Sequence, residues 1–296
     1  MKVAIATDTN SGITAAEGAR LGIYVLAMPV NLEENVHYEG IDITSEQLYE
    51  AMRQHRDVST SQPSPGQLME LWDGILAEGF EQIVYIPMSS GLSGSCQSAA
   101  LFAQDYDGKV QVVDNHRISV TQRESVISAL RLAKQGYDAV QIKDFLEKHT
   151  YDASIYITVD SMEYLKKGGR VTPAAATLAT VLNLKPVLTI QGDKLDAFAK
   201  VRGMKLAQSK MIDALHQDRG ERFKDVPESR LLIETAGTLE NQTLVEAWRQ
   251  QVQEEFPFAE VHYANLPCSI ACHVGMNSVA AVIMTEEVQR EENGQQ

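Results

Sequence analysis

The sequence predicts an α/β protein of two domains, and three observations lead to that prediction. The chain has 296 residues, about twice the length of a typical domain. Its first half alternates short β runs with helical segments, the order that builds parallel sheets from βαβ units. Its second half contains an antiparallel hairpin. We therefore expect an N-terminal parallel-sheet α/β domain over residues 1–152 and a C-terminal mixed-sheet α/β domain over residues 153–296.

Apolar runs and turn residues place the elements of the first half. The clearest helix start is at Ser64, where Pro65 takes the first helical position and Gln67 completes a capping box. Gly79 then ends that helix. The other expected elements are strands at Lys2–Ala6, Tyr24–Val30, Ile83–Ile86 and Val110–Val113, and helices at Thr44–Arg53, from about Ser95 to Gln104, at Thr121–Lys134 and after Asp138.

The second half has a different order of elements. Pro186–Ile190 and Leu195–Val201 flank Gln191–Lys194, which predicts an antiparallel hairpin. The other expected elements are strands at Ser154–Val159, 230–235, 259–264 and Val279–Met284, and helices from Thr172 to about Leu182, at 204–216 and at 239–255. The polar tail Glu286–Gln296 is expected to fray.

Charge and composition exclude several classes of function. Lys and Arg number 26 against 40 Asp and Glu, a net charge of −14, which argues against a nucleic-acid binder and against adhesion to anionic lipid. No apolar run approaches the ~18 residues that span a bilayer, so we expect no stable membrane insertion. The three cysteines form an odd, sparse set that is typical of a reducing compartment, so we expect a cytoplasmic protein.

The clearest candidate site is the segment in which a strand, a Ser/Gly turn and a helix follow one another over residues 83–104. Parallel sheets bind ligands at the carboxyl ends of their strands, and a helix N-terminus favours anions. Ser89, Ser90 and Ser93 add hydroxyl donors, so the turn suits a carboxylate or a phosphate. The alternative, equally supported by residue types alone, is that these serines only cap the helix.

Two further polar segments have both a functional and a plain interpretation. Ser59–Ser64 is either an ordinary loop or, through Thr60, a second donor to the same anion. Lys166–Arg170 is a basic, Gly-rich segment in an acidic chain, suited to phosphate or simply a solvated turn. Lys200–Gly203 is a weaker example of the same pattern.

Metal and hydrolase chemistry have less support. Cys268 and Cys272 precede His273, but no second ligand pair lies nearby, so buried free thiols are favoured over zinc. Gly91–Ser95 begins like a nucleophile elbow but ends in Ser instead of Gly. A serine acyl hydrolase using Ser93 or Ser90 with His273 therefore stays open as the alternative function, although the second half lacks the parallel alternation of that fold.

Seven motifs in order resemble one family, over Met1 to about Met284. They are Thr7-Asp8-Thr9, Thr60-Ser61-Gln62-Pro63-Ser64, Ser89-Ser90-Gly91-Leu92-Ser93-Gly94, Tyr164-Leu165-Lys166-Lys167-Gly168-Gly169-Arg170, Leu182-Asn183-Leu184-Lys185-Pro186, Lys200-Val201-Arg202-Gly203 and His273-Val274-Gly275. Together they resemble the DegV family of bacterial fatty-acid-binding proteins, which includes the lipid-carrying subunit of bacterial fatty acid kinase.

The resemblance implies one long-chain fatty acid, such as palmitate, stearate or oleate, in an apolar tunnel between the domains, and no other cofactor or metal. It implies that the carboxylate meets Thr60, Ser90 and His273, with Ser61 and Ser93 beside them in the same motifs. A separate ATP-dependent kinase would phosphorylate the carboxylate to an acyl phosphate, so this chain would not itself be an enzyme. Another possibility is a lipid carrier with no kinase partner.

The resemblance also gives roles to two arginines and includes two departures. Arg170 and Arg202 match positions linked to phosphate handling and kinase contact. The family commonly has Pro-Gly soon after the His-x-Gly motif, where this chain has Met276-Asn277. Its first motif usually continues with Ser or Thr, where this chain has Asn10.

Overall fold

The computed structural model describes residues 2–177 and 184–289 and has a two-domain α/β architecture. The strands in these ranges are β1 Val3–Asp8, β2 Ile23–Leu26, β3 Pro29–Leu32, β4 Asn35–Tyr38, β5 Val58–Thr60, β6 Gln82–Ile86, β7 Val110–Val112, β8 Ala153–Thr158, β9 Leu184–Ile190, β10 Asp196–Arg202, β11 Leu231–Gly237, β12 His262–Asn265 and β13 Val279–Thr285. The helices there are α1 Ala15–Leu21, α2 Ser45–Arg53, α3 Pro65–Ala77, α4 Ser95–Phe102, α5 Ser119–Lys134, α6 Ala139–Lys148, α7 Glu163–Gly168, α8 Pro173–Ala176, α9 Met204–Glu221, α10 Gln242–Glu255 and α11 Cys268–Val274.

The N-terminal domain is built on a four-stranded parallel sheet in the order β2-β1-β6-β7. Helices α3 and α4 pack on one face, where Trp72 is fully buried. Helices α5 and α6 pack on the other face through residues such as Val126 and Ile142. Because both faces are covered, the strands are mostly apolar, which is why the sequence predicted β1, β6 and β7 close to their observed positions.

The C-terminal domain is built on a six-stranded mixed sheet in the order β10-β9-β8-β13-β11-β12. Neighbouring strands are antiparallel except β11 and β12. Helices α9 and α10 cover one face, with Trp248 buried between helix and sheet. The other face, which includes Ile155 and Val282, packs with Leu92 and Ile118 of the N-terminal half. The four-stranded sheet uses only strands that precede residue 152, and the six-stranded sheet uses only strands that follow it. The domain boundary itself stays a prediction.

A third, antiparallel sheet of order β4-β3-β5 was not expected from the sequence. The single strand predicted at Tyr24–Val30 is wrong, because the chain leaves the parallel sheet after Leu26 and begins β3 at Pro29. Helices α2 and α11 pack on this small sheet through buried residues such as Leu48 and Cys272. The small sheet therefore brings β5 of the N-terminal half against α11 of the C-terminal half.

Most other elements agree with the sequence. The capping box of Ser64 and Gln67 is present at the start of α3, and β9 and β10 form the predicted hairpin. Helix α9 continues to Glu221, five residues beyond the predicted end at 216. The predicted helix from Thr172 begins as α8, but its expected end near Leu182 lies outside the described residues.

Three segments differ from expectation. Residues Glu163–Gly168 form α7, a single short helix, in the region expected to be a turn. Cys268–Val274 form α11, for which no helix was predicted. The start of the expected frayed tail is ordered, since Glu287 is buried and its carboxylate lies 2.5 Å from Arg117 in an ion pair; residues 290–296 lie outside the described ranges.

Candidate functional site

A cavity lies where the two halves meet, and it opens to solvent, with about 840 Å³ of space when the solvent at its mouth is included. Its wall is mostly aliphatic, because β8, β13 and α11 turn apolar side chains toward it, including Ile155, Ile157, Val282, Ile270 and Val274. Polar side chains are few, and they come from loops and element ends. Those expected from the sequence are Thr60, Ser61, Ser93, Arg170 and His273. The cavity thus combines a long apolar surface with a small number of hydrogen-bonding groups.

Thr60 and His273 are in direct contact, although 213 residues separate them along the chain. Thr60 ends β5 in the small sheet, and His273 lies near the end of α11, which packs on that sheet. The Thr60 Oγ1 and His273 Nε2 atoms are 2.8 Å apart. In the turn that follows α11, Asn277 adopts a left-handed conformation (φ 57°), which asparagine tolerates.

The surroundings of His273 keep its imidazole neutral. Burial, followed by the nearby charge of Arg170, lowers the pKa of His273 to about 4. Its Nδ1 atom is buried and has no hydrogen-bond partner in the described part of the chain. That atom lies against Gly168, where a Cβ would clash with the ring. A neutral imidazole whose Nε2–H donates to Thr60 leaves the Thr60 hydroxyl hydrogen free to donate to an anion.

The Ser-rich turn before α4 packs against the hairpin of the C-terminal half. Ser89 donates its hydroxyl to the Gly192 carbonyl, and a Cβ on Gly91 would lie 2.6 Å from Asp193 Cα. The Ser93 hydroxyl lines the cavity and accepts a hydrogen bond of 3.2 Å from the Ser95 amide at the start of α4. Ser93 therefore accepts from the first amide of α4, whose N-cap is Gly94, and still has its own hydroxyl hydrogen to donate.

The two other serines differ in position. Ser61 lines the cavity and is exposed on its other side. Ser90 is not among the described residues that line the cavity. Its amide donates to Asp114 Oδ1 at 3.2 Å. Thr60, Ser61, Ser93 and His273 thus share one cavity, and the role of Ser90 stays a prediction.

Arg170 and Arg202, paired by their sequence patterns, lie in different environments. Arg170 lines the cavity, and its guanidinium donates to the carbonyl oxygens of Leu92, at 3.1 Å, and Gly168. Leu195, just before β10, bonds to the Arg170 carbonyl. Arg202 is exposed at the far end of β10, roughly 20 Å further along that strand at ~3.3 Å per residue.

Three polar residues of the cavity wall were not predicted from the sequence. They are Asn10, which follows β1, Ser119, which begins α5, and Ser269 on α11. A signal for Asn10 existed, because it stands at the carboxyl end of a strand in a parallel sheet, where ligands bind. Ser269 precedes His273 by one helical turn, but this was visible only once α11 was known to be a helix.

Neither a metal site nor a membrane-spanning helix occurs in the described part of the chain. Across residues 2–177 and 184–289, no three His, Cys, Asp or Glu side chains group as a metal site. Cys96, Cys268 and Cys272 are free and buried, and burial raises the pKa of the Cys268 thiol to about 12. No helix in the same two ranges is long and apolar enough to cross a bilayer.

A family model and two relatives that match this chain are all described as DegV proteins. A family model described as "Uncharacterised protein, DegV family" matches residues 2–286. A DegV domain-containing protein of Deinococcus radiodurans is 34% identical over 214 residues, which cover 72% of this chain and 76% of the relative. A second, from Streptomyces coelicolor, is 28% identical over 281 residues, 95% of this chain and 98% of the relative.

Solved structures of proteins that are described as binding fatty acids are also similar to this chain. A DegV family protein from Thermus thermophilus, described by its fatty acid binding, superposes with a TM-score of 0.85 at 29% identity and covers 96% of this chain and 100% of its own. A stearic acid-binding protein from Eubacterium ventriosum superposes with a TM-score of 0.85 at 20% identity, with coverage of 96% and 98%. The second likeness supports the fold alone.

Proposed function

The chain belongs to the DegV family, and from that premise we propose that it binds one long-chain fatty acid in the cavity between its two domains. The observation that carries the proposal is the cavity itself, with a long aliphatic wall and a few hydrogen-bonding side chains that include Thr60 and His273. The fatty acid binding described for the Thermus thermophilus relative supports the same ligand class.

The aliphatic wall would supply most of the affinity. A sixteen-carbon acid has about 14 methylenes, and at ~0.8 kcal/mol for each buried CH₂ their burial contributes roughly 11 kcal/mol before ordering costs. The residues that would contact the acyl chain, such as Ile157 and Val282, come from the open face of the six-stranded sheet. Palmitate, stearate and oleate are all candidate ligands.

The polar side chains would orient the carboxylate. Burying a carboxylate is costly unless it is hydrogen bonded. We assign this role to the hydroxyls of Thr60, Ser61 and Ser93 together with His273, and we include Ser90 on the strength of its motif alone. The neutral His273 supports the assignment, because Thr60 can donate toward an anion while it accepts from the imidazole.

A partner kinase is the second part of the proposal. The chain would present the carboxylate to an ATP-dependent kinase that forms the acyl phosphate, with Arg170 near the transferred phosphate and Arg202 in contact with the kinase. Arg170 supports this role because it lines the same cavity as His273. Arg202 supports only the contact role, because it is exposed and remote from the cavity. A lipid carrier without a kinase is the simpler version of the same function.

The geometry favours binding over a serine acyl hydrolase. A hydrolase needs a base that is bonded to the nucleophile and oriented by a third group. His273 Nε2 contacts Thr60, and neither Ser93 nor Ser90 bonds to the imidazole. A pKa of about 4 also makes His273 a weak base at neutral pH.

Extraction and mass spectrometry of the purified protein test the proposal. We expect one long-chain fatty acid per chain, and delipidated protein should take up added oleate or palmitate. A fluorophosphonate probe should leave every serine unlabelled, since a carrier has no activated nucleophile. A protein that is empty and takes up neither acid would contradict fatty acid binding, and covalent labelling of Ser93 or Ser90 would favour the hydrolase.

A further inference from the structure

A second cavity adjoins the one that we assign to the fatty acid. It opens to solvent, with about 2070 Å³ of space when the solvent at its mouth is included. Much of its wall is apolar and includes Ile13 and Leu26. Three of the described residues line both cavities, and they are Ser119, Val120 and Leu266. These three residues form a partition between the two spaces.

The floor of the fatty acid cavity crosses four strands of the six-stranded sheet. It includes Ile190 on β9, Ile157 on β8, Ala280 on β13 and Ala236 on β11, and these four strands are consecutive in the sheet. At ~4.8 Å between neighbouring strands, the floor extends roughly 14 Å from β9 to β11. The cavity therefore has one end at the hairpin of β9 and β10 and the other end beside β11 and β12.

The polar side chains lie toward the hairpin end. Leu195, directly before β10, donates its amide to the Arg170 carbonyl at 2.9 Å. The Arg170 guanidinium donates to the carbonyl of Gly168, which lies against the His273 ring. His273 in turn contacts Thr60. A carboxylate held by these groups lies at the hairpin end, so the acyl chain extends across the strands toward β11.

The partition closes the opposite end of the cavity. Leu266 follows β12 and donates its amide to the carbonyl of Gly237, the last residue of β11, at 2.8 Å. It precedes α11 by two residues, whereas His273 lies five residues, or ~7.5 Å, beyond the first residue of that helix. Val120, in the first turn of α5, is 6% exposed and Leu266 is 4% exposed, and both belong to one apolar cluster. The methyl end of a bound acyl chain therefore meets two packed aliphatic side chains.

Resting on the proposed function, we infer that Val120 and Leu266 set the maximum length of the acyl chain that this protein accepts. A chain that reaches the partition can extend further only by displacing a packed side chain, which is unfavourable. Shortening either side chain opens a passage into the second cavity, where the extra carbons can lie. Each further buried methylene would then strengthen binding about fourfold, a gain that the intact partition prevents.

Competitive binding of oleate and erucate, monounsaturated acids of eighteen and twenty-two carbons, to the delipidated full-length chain tests the inference. We expect the wild-type protein to bind oleate roughly tenfold more tightly, the effect of overpacking at the partition. In Leu266→Ala the ratio of the two affinities should shift at least tenfold toward erucate, because the last carbons of erucate can pass the partition.

Leu195→Ala is the matched control. Leu195 is 5% exposed, belongs to the same apolar cluster as Leu266 and also lines the fatty acid cavity. It lies at the hairpin end, however, and is not among the described residues that line the second cavity. Leu195→Ala should therefore keep the wild-type ratio even where both acids bind more weakly.

The outcomes separate the inference from the function on which it rests. Val120→Ala, a smaller truncation of the partition, should shift the ratio in the same direction and decides the matter if Leu266→Ala does not fold. A wild-type preference for erucate, an unchanged ratio in the folded partition variants, or an equal shift in Leu195→Ala would overturn the inference while fatty acid binding stands. Failure of both acids to bind the wild-type protein would overturn the proposed function and the inference together.

Discussion

The segments Lys166–Arg170 and Lys200–Gly203 have similar sequences and different surroundings. Both combine lysine, glycine and one arginine in a strongly acidic chain. The first forms the end of α7 and its cap, and its Arg170 lines the cavity and donates to two carbonyl oxygens. The second ends the edge strand β10 with an exposed Arg202. The similar sequences of the two segments therefore did not predict similar positions in the structure.

Their glycines differ in the same way. Gly168 leaves space for the ring of His273, and a side chain there would clash with it. Gly203 has open space around it but adopts φ 83° and ψ 155°, a backbone conformation that only glycine adopts readily. One glycine thus serves the candidate site, and the other serves the start of α9. We therefore expect substitutions in the two segments to affect different properties of the protein, and by different amounts.

The largest expected effect is on phosphorylation of the bound fatty acid when each arginine is replaced by alanine. We expect Arg170→Ala to retain fatty acid nearly as well as wild type but to lose phosphorylation by a cognate kinase ten- to hundredfold, the effect of ~1.5–3 kcal/mol in charged hydrogen bonds. Arg202→Ala should also retain fatty acid, and its phosphorylation should fall by a smaller factor. The measurement is lipid exchange alongside acyl phosphate formation for both variants. Parallel loss of both in Arg170→Ala would mean that Arg170 serves the cavity or the fold, and unchanged phosphorylation would remove its proposed role.

Replacing the two glycines should distinguish an effect on ligand binding from an effect on stability alone. Gly168→Ala forces His273 away from Thr60 and should destabilise the protein by ~1–3 kcal/mol with faster release of bound fatty acid. Gly203→Ala should cost a similar ~1–3 kcal/mol through backbone strain, with the rate of release unchanged. Urea unfolding and lipid exchange would measure both effects. Unchanged lipid exchange in a folded Gly168→Ala protein would argue against a role for the His273 position.

The titration of His273 should distinguish the two arginines. Arg170→Ala removes one cause of the lowered pKa of His273, so that pKa should rise from about 4 toward its ordinary value, whereas burial should keep the rise partial. Arg202→Ala should leave it unchanged. Because the unfolded chain takes up a proton near pH 6.5 and the folded chain only near 4, wild-type stability should fall as the pH drops through that window.

NMR titration and urea unfolding at several pH values would test this expectation. His273→Gln should lose the part of the pH dependence that comes from His273, and His262→Gln, at an exposed histidine, should keep it. Coincident pH–stability curves for wild type and His273→Gln would contradict the assignment. An equal pKa of His273 in both arginine variants would remove the difference between the two segments.

The smallest expected effect is that of the Thr60 hydroxyl. Thr60→Val keeps the side-chain shape and removes the hydrogen bond to His273, so fatty acid binding should weaken by ~1 kcal/mol. Thr243→Val, at an exposed position on α10, is the matched control and should bind as wild type does. Calorimetric titration with oleate provides the measurement. Equal affinities for the two variants would show that the Thr60 hydroxyl does not contact the ligand.

Local chemistry was sufficient to predict much of the fold. The capping box at Ser64 marked the start of α3, and the turn at Gln191–Lys194 marked the hairpin. These signals depend only on neighbouring residues. The small sheet was not predicted because β5 has three residues and β3 has four, too few to show a period. Helix α11 was not predicted because almost every one of its residues is buried, which removes the polar face that marks a helix.

The candidate site follows the same division. Residue types and motif order in the sequence determined the α/β class, the family and the list of polar residues to examine. Only the tertiary structure decided which of these residues meet: it joins Thr60 to His273 across 213 residues, places Arg170 at the cavity and leaves Arg202 outside it, and adds Asn10. Motifs are conditions on adjacent residues, whereas the cavity depends on how the small sheet packs on α11 and how one domain covers the open face of the other, and no local pattern encodes either contact.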